Sequence, residues 1–427
     1  MSARALVSQL KQVRSAGGVL RLSRASQRNR VLRRAADLLQ QRQAEILTAN
    51  QRDLKALDLS SHAKHRASFR DRLTLTPGRL AQMRQSLRRV AQARDPVGQI
   101  VDSQKLKNGL LLQKVRSPLG VIFMIFESRP NVAVEAFSLG FKAGNAMILK
   151  GGRESQFTVS ALMDLLHEAL AAEGVPKEVL WGLPSLSRAE VRCLLEQKQW
   201  IDVVVPRGGE ALIQFVERHS RIPMIKNDRG LCHIYVDEKA DLQMACEVVV
   251  NAKTQRPGVC NAMETLLVHQ SIASLFLPQL FAELKAHSVE LVLCARSYAL
   301  AAQGGWGDFA QKATRRSWDQ EYLDLKMNCR VVSSLQEAME HIDRHGSRHS
   351  EAILTQNHQV AEQFQREVDS AAVYWNASTR FTDGFEFGLG GELGISTQKL
   401  HVRGPVGLEA LTTPKWVICG QGQIRAS

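Results

Sequence analysis

Cys260 stands in Arg256-Pro257-Gly258-Val259-Cys260-Asn261, on a Pro-Gly corner between a helix-patterned stretch and a strand-patterned one. A packing cysteine belongs inside an element. One at a joint, with Lys253 and Arg256 close in sequence, is a candidate nucleophile. Such a thiol needs a lowered pKa, an exposed position and an oxyanion partner. The corner supplies exposure, and nearby cations or backbone dipoles are candidates for the pKa shift. An amide side chain acting with the Cys260 N–H would hold the oxyanion. Asn131, in Glu127-Ser128-Arg129-Pro130-Asn131-Val132, sits at a strand end of the right kind. Spacing alone does not bring 131 to 260.

Three glycine corners lie where ligands would bind an open α/β sheet, at or near strand ends. They are Lys150-Gly151-Gly152-Arg153, Pro206-Arg207-Gly208-Gly209 and the FGLGGELG segment, 387–394. A Gly-Gly corner before a helix presents backbone N–H groups to an anion. None of the three carries the GxGxxG fingerprint, so the plain-turn reading stands beside the anion-binding one.

The elements that must position these residues follow from periodicity. Residues 1–95 repeat apolar positions three and four apart, which predicts helices. Thr76 with Pro77 predicts a helix start. Lys107-Asn108-Gly109, between apolar runs, predicts a hairpin near 98–117. From 118 the pattern alternates. GVIFMIF, AMILK, EVLWGL and IDVVVP are apolar strand runs separated by amphipathic helices, and a second such series begins near 230. Strand and helix in alternation predict parallel sheets covered on both faces.

At 427 residues the chain is too long for one ordinary core. No run of 18 apolar residues is present, so no transmembrane helix is expected. The N-terminal stretch reads as a helix rather than a secretory signal. The seven cysteines, at 193, 232, 246, 260, 294, 329 and 419, include no CxxC pair and no zinc spacing. They predict free thiols in a reducing, cytoplasmic setting and no metal. The net charge is +14, but the basic residues are dispersed and aromatic residues are only 6%. That disfavours nucleic acid as a partner and fits a general attraction for small anions.

Several long motifs carry a resemblance over essentially the whole chain. They are ESRPNV, GNAMILKGG, PRGG, NAKTQRPGVCNAMETLLV, EAMEHIDRHGSRHSEAI, VDSAAVYWNASTRFTDG and FGLGGELGISTQKLHVRGPVGLEALTT. The chain resembles the gamma-glutamyl phosphate reductase family within the aldehyde dehydrogenase superfamily. The resemblance implies an α/β fold of that superfamily, with two α/β domains, parallel-type sheets and an oligomerisation hairpin. It implies a nucleotide-binding domain at 1–228, interrupted by the hairpin at 98–117. A catalytic domain at 229–404 would carry Cys260, and 405–427 would join the hairpin in oligomerisation.

The implied activity is reduction of L-glutamyl 5-phosphate by NADPH through a Cys260 thioester, with Asn131 holding the oxyanion. Lys150 and Gly151 would lie on the adenosine side of NADP, and Arg153 would favour a 2′-phosphate. Gly208 and Gly209 would lie near the nucleotide phosphates. Glu321 falls where the superfamily carries a carboxylate for the nicotinamide ribose, and a solvated surface acid remains the alternative. Arg380 and Arg403 are candidates for substrate anions or for tying domains and subunits together, and His401 for a structural role. The acyl phosphate would come from a separate glutamate 5-kinase, which suggests a transient complex with it, and the chain would form a homo-oligomer.

Hydrolytic members of the superfamily carry a glutamate base before a strand. An ungapped comparison puts Asn227 there, and a neutral amide cannot activate water. The chain departs from the family pattern at Phe385, at Pro414 and at Lys326-Met327-Asn328. Pro414 is expected to alter the last strand. A dehydrogenase for another aldehyde, and a binding protein that has lost catalysis, are the competing readings.

Overall fold

The structure, a computed structural model, describes residues 3–58, 66–183, 187–226 and 229–425. The chain divides into two compact units. The first comprises Met1–Lys226, Gly388–Gly394 and Val406–Ser427; the second comprises Asn227–Phe387 and Ile395–Pro405. The sequence places 229–404 in one domain, whereas segment Gly388–Gly394 clusters with the first unit. Backbone hydrogen bonds explain this: Leu393 N–H donates to Val406 O, and Val406 N–H donates to Gly394 O.

The first unit opens with helices α1 (Ala3–Arg21), α2 (Ala25–Gln41), α3 (Gln43–Asp58), α4 (Arg66–Leu73) and α5 (Pro77–Gln92). Helix α2 buries Val31, Leu32, Ala35, Ala36, Leu38 and Leu39, the spacing of one apolar face. Helix α5 starts as its sequence predicts: the Thr76 hydroxyl accepts from Arg79 N–H at 3.2 Å, and Pro77 stands at the first helical position. Strands β1 (Ile100–Lys105) and β2 (Leu111–Pro118) form the antiparallel hairpin, turning at Gly109 with φ +89°.

The parallel sheet of this unit comes from alternating elements: β3 (Val121–Phe126), α6 (Asn131–Lys142), β4 (Ala146–Lys150), α7 (Gln156–Ala172), β5 (Leu180–Gly182), α8 (Arg188–Leu195), β6 (Val203–Arg207) and α9 (Glu210–His219). Strand order is β5-β4-β3-β6. Every residue of β3 is buried, so the strand is apolar without alternation. Phe123 pairs with Ile148 on one side and Val204 on the other. These three residues share a core cluster with Leu6, Leu10 and Val13 of α1. The register leaves Glu127, Gly151 and Gly208 just past the carboxyl ends of β3, β4 and β6.

The second unit contains β7 (Cys232–Val236), α10 (Leu242–Thr254), β8 (Met263–His269), α11 (Gln270–Ala286), β9 (Glu290–Leu293), α12 (Ala295–Gln303), β10 (Ala310–Lys312), β11 (Lys326–Val332), α13 (Leu335–His345), β12 (Ser350–Leu354), α14 (His358–Glu367) and β13 (Ala372–Trp375). Its parallel sheet has the order β10-β9-β11-β8-β7-β12-β13. Ile234, Met263, Leu266, Phe276, Leu291 and Met327 are among its buried core. Asn328 interrupts the apolar run of β11 without an unmet polar group: its Nδ2 donates to Thr265 Oγ1 and Ser317 O, and its Oδ1 accepts from Tyr322. The short strands β14 (Ile395–Ser396) and β15 (Gly404–Pro405) pair with each other.

Strand β16 (Thr412–Cys419) returns to the first unit and pairs antiparallel with β2, giving the order β1-β2-β16. Pro414 lies within this strand and does not interrupt it. It pairs with Arg116 on an edge strand, where a missing N–H is tolerated.

Candidate active site

In the second unit Cys260 occupies the turn between α10 and β8, where its Pro-Gly corner places it, and is half-buried rather than fully exposed. The turn is backed by named contacts. The Cys232 thiol donates to Cys260 O at 3.2 Å. Gly230 lies flat against the Cys260 backbone, and a Cβ there would stand 1.9 Å from Cys260 O. Gly230 N–H donates to Glu321 Oε1 at 2.8 Å. Asn261 Nδ2 donates to Thr382 O at 2.8 Å and Arg380 O at 3.2 Å, while the Thr379 hydroxyl donates to Asn261 O. The loop carrying Arg380 is thereby stitched to the nucleophile loop.

The Arg380 guanidinium donates twice to Gln255 Oε1, at 3.0 and 2.9 Å. Burial, and then the neighbouring Arg256, lower its pKa. Asp383 and the thiols of Cys260 and Cys232 act in the opposite sense, so Arg380 is within electrostatic reach of the candidate nucleophile. Arg403 is engaged elsewhere, with Asp369 Oδ1 at 2.6 Å, and Lys399 pairs with the same carboxylate.

The same unit holds a buried pair that spacing did not reveal: Lys253, read from the sequence as a cation near Cys260, is taken up by Glu264. Lys253 Nζ is 3.3 Å from Glu264 Oε2, and both side chains are essentially inaccessible. Burial lifts the Glu264 carboxyl to about 7 against the pull of Lys253, and it lowers the Lys253 ammonium. Glu264 also accepts from Tyr322 N–H and Leu323 N–H. His349 is fully buried, with Nδ1 2.8 Å from the Ser350 hydroxyl and 3.7 Å from Cys232 Sγ. The available signal was a lysine and a glutamate inside otherwise apolar runs, NAK and METLLV.

In the first unit the strand-end corners meet. Gly209 N–H, at the start of α9, donates to Glu127 Oε2 at 2.9 Å. A Cβ on Gly208 would fall 2.4 Å from that oxygen. The α9 corner therefore already holds an anionic oxygen. Lys150 is half-buried; desolvation lowers its pKa first, with Glu154, Arg153 and Glu127 as its charged neighbours. Glu154 Oε1 accepts from Ser128 N–H at 2.7 Å, holding a residue with φ +55° just before the start of α6. Asn131 is the first residue of α6, and its Nδ2 donates to Glu135 Oε1 at 2.8 Å. Glu135 Oε2 is 3.8 Å from Arg207 Nη1.

The structure thus groups Cys260, Glu321 and Arg380 in one unit. In the other it groups Lys150, Gly151 and Arg153 with Gly208 and Gly209, and places Asn131 at the head of α6. Asn227 lies outside the described residues. Among the described residues no group of three His, Cys, Asp or Glu side chains is arranged to hold a metal ion. None of their helices is long and apolar enough to cross a membrane.

Known proteins resemble this chain at every level. The model of the aldehyde dehydrogenase family matches residues 3–293. The gamma-glutamyl phosphate reductase of Nautilia profundicola is 44% identical over 97% of this chain and 99% of its own length. That of Moorella thermoacetica is 47% identical over 97% of each. The crystal structure of gamma-glutamyl phosphate reductase from Thermotoga maritima, 41% identical, covers 99% of this chain and 100% of its own, with a TM-score of 0.93. The chain belongs to the gamma-glutamyl phosphate reductase family of the aldehyde dehydrogenase superfamily.

Proposed function

We propose that this enzyme reduces L-glutamyl 5-phosphate to L-glutamate 5-semialdehyde and phosphate with NADPH, the second step of proline biosynthesis from glutamate. One observation carries the reading. Cys260 is a half-buried thiol on a firmly backed corner with a guanidinium in reach, in a chain whose full-length relatives are gamma-glutamyl phosphate reductases.

The Cys260 thiolate attacks the γ-carbonyl carbon, and the acyl–oxygen bond to phosphate breaks with phosphate leaving. The product is a thioester on Cys260. The hydride that the reduction consumes is supplied by NADPH when it is bound. Collapse of the resulting tetrahedral oxyanion expels the thiolate and frees the aldehyde. An oxyanion forms at both steps, and the Asn131 amide with the Cys260 N–H would serve each. Arg380 would attract the substrate's anionic groups and favour the thiolate. Arg403, taken up by Asp369, would hold its loop.

The residues present suit a dinucleotide phosphate. A Cβ on Gly208 would meet the Glu127 carboxylate and Leu212, Gly209 N–H already donates to a carboxylate oxygen, and Lys150 and Arg153 supply cations. Lys150, Gly151 and Arg153 are proposed to take the adenosine end of NADPH, and Gly208 and Gly209 its phosphates. Glu321, with one oxygen on Gly230, is proposed to lie near the nicotinamide ribose while supporting the nucleophile loop. On this reading the first unit binds nucleotide and the second carries the nucleophile. The β1-β2-β16 sheet, which exposes Ile100, Val101, Trp416 and Ile418, joins subunits. A cytoplasmic location and a transient complex with a separate glutamate 5-kinase complete the proposal.

The test is the reverse reaction, followed by reduced-nicotinamide absorbance with glutamate semialdehyde and NADP. Turnover should require phosphate and vanish in Cys260→Ala. Turnover without phosphate would mean that water reaches the thioester, and the enzyme would then be a hydrolytic aldehyde dehydrogenase.

A further inference from the structure

We infer that Glu135 is a positioning residue that sets the orientation of the Asn131 carboxamide, so that an N–H rather than the carbonyl oxygen meets the developing oxyanion. The inference rests on the assignment of Asn131 as oxyanion donor.

Asn131 and Glu135 are four residues apart on α6, one turn along the same face. The Asn131 Nδ2 to Glu135 Oε1 distance is 2.8 Å. A carboxamide can rotate by half a turn, exchanging its oxygen and nitrogen with little change of shape. An ionised carboxylate only accepts, so it holds the NH2 side and repels the oxygen. One hydrogen of Nδ2 is then spent on Glu135, and the second remains for a ligand oxygen. In the rotated state Oδ1 would face the carboxylate and the donor would be lost from its place. Arg207 lies beside the other oxygen of Glu135. Its Nη1 is 3.8 Å from Glu135 Oε2 and donates to Leu393 O at 3.1 Å, which anchors the guanidinium. The PRGG corner after β6 thereby contributes to the oxyanion donor at the head of α6, a connection that spacing in the sequence does not reveal.

The test is a double-mutant cycle on the reverse reaction with the intact enzyme. Asn131→Ala is expected to lower kcat by about 10²- to 10³-fold, the usual loss for one oxyanion donor. Glu135→Gln keeps the shape, but its amide can accept from Nδ2 or donate to Oδ1, so both orientations of Asn131 become available. We expect kcat to fall about threefold to tenfold, with KM for semialdehyde and NADP within about twofold. Glu135→Asp keeps an acceptor-only group and is expected to retain more activity than Glu135→Gln. In the Asn131→Ala background Glu135→Gln should have no further effect on kcat.

An equal fall in both backgrounds would make Glu135 a scaffold residue and overturn the inference. So would an unchanged kcat in Glu135→Gln while Asn131→Ala is crippled, which leaves Asn131's own role standing. A normal kcat in Asn131→Ala would remove that role and the inference with it.

Discussion

Gly230 and Cys260 meet backbone to backbone: a Cβ added at Gly230 would lie 1.9 Å from Cys260 O and 2.5 Å from its Cα. The obstacle to a side chain at 230 is the nucleophile loop itself. Gly230→Ala must push that loop outward. Overpacking of this kind costs roughly 1–3 kcal/mol of stability. A displacement of about 1 Å at a reacting group costs as much as 10²-fold in rate. We expect kcat/KM to drop at least tenfold while the protein stays folded at 25 °C. Steady-state rates beside a thermal melt will check this, and a variant with native kcat/KM would show that the loop has room to spare.

Arg380 couples to the Cys260 thiol and is held by Gln255. A cation beside a thiol favours the thiolate, which is the reactive form. Arg380→Gln removes that cation. Alkylation of Cys260 by iodoacetamide at pH 7 should slow by about threefold to tenfold. Arg380→Lys keeps the charge and should fall between. Counting label on Cys260 by mass spectrometry separates it from the other thiols. An unchanged rate in Arg380→Gln would confine this guanidinium to substrate binding or loop support.

The sequence displayed what local chemistry controls. The apolar run Val121–Phe126, the Thr76 cap and the Gly109 turn are each set by residues within a few positions. Cys260 was visible because breakers surround it, and a nucleophile on a loop leaves that trace. Long-range pairing left no such trace. Nothing in the order of residues says that β8 lies between β11 and β7, or that Pro414 faces Arg116. Supporting carboxylates were equally hidden. Glu127 and Glu154 look like ordinary surface acids, yet each accepts a backbone N–H at a corner that matters; Glu321 was singled out only through the family resemblance, which did not reveal that it accepts from Gly230 N–H. Arg403 lay in a conspicuous motif, but its charge is taken up by Asp369, a residue 34 positions away.

Lys253 and Glu264 form a pair that neither residue would tolerate alone. Removing one member of a buried pair costs about 3–5 kcal/mol when the other stays charged. Glu264 has an escape, because burial already raises its pKa from 4.5 to about 7. A carboxyl raised in the folded state contributes stability below its unfolded pKa, and that contribution is lost as pH climbs through the folded value. Lys253→Met removes the attraction that opposes the rise, so the loss extends above pH 7. The variant should be only mildly destabilised at pH 5.5 and destabilised by roughly 3 kcal/mol at pH 8. Urea denaturation at both pH values reads this directly, and equal losses at the two would contradict the pairing.

His349 gives the opposite pH dependence. Burial alone pushes its pKa from 6.5 down to about 4. Its Nε2 is buried without a hydrogen-bond partner among the described residues, so none of them offers an acceptor for a second proton there. A group with a depressed folded pKa contributes stability above its unfolded value, and loses it as pH falls through the window down to the folded value. Between about pH 6.5 and 4 the unfolded chain takes up a proton that the folded chain refuses. Stability should therefore fall on acidification, by about 1.4 kcal/mol per pH unit from this residue. His341, lowered to about 2 by burial and by neighbouring His233, adds in the same direction. His349→Asn leaves a small cavity and lowers stability at neutral pH, but it should flatten the acid slope by about one proton. Denaturation midpoints measured every half unit from pH 7 to 4 separate the two effects. A slope unchanged by the substitution would mean that His349 gains a proton partner in the folded protein.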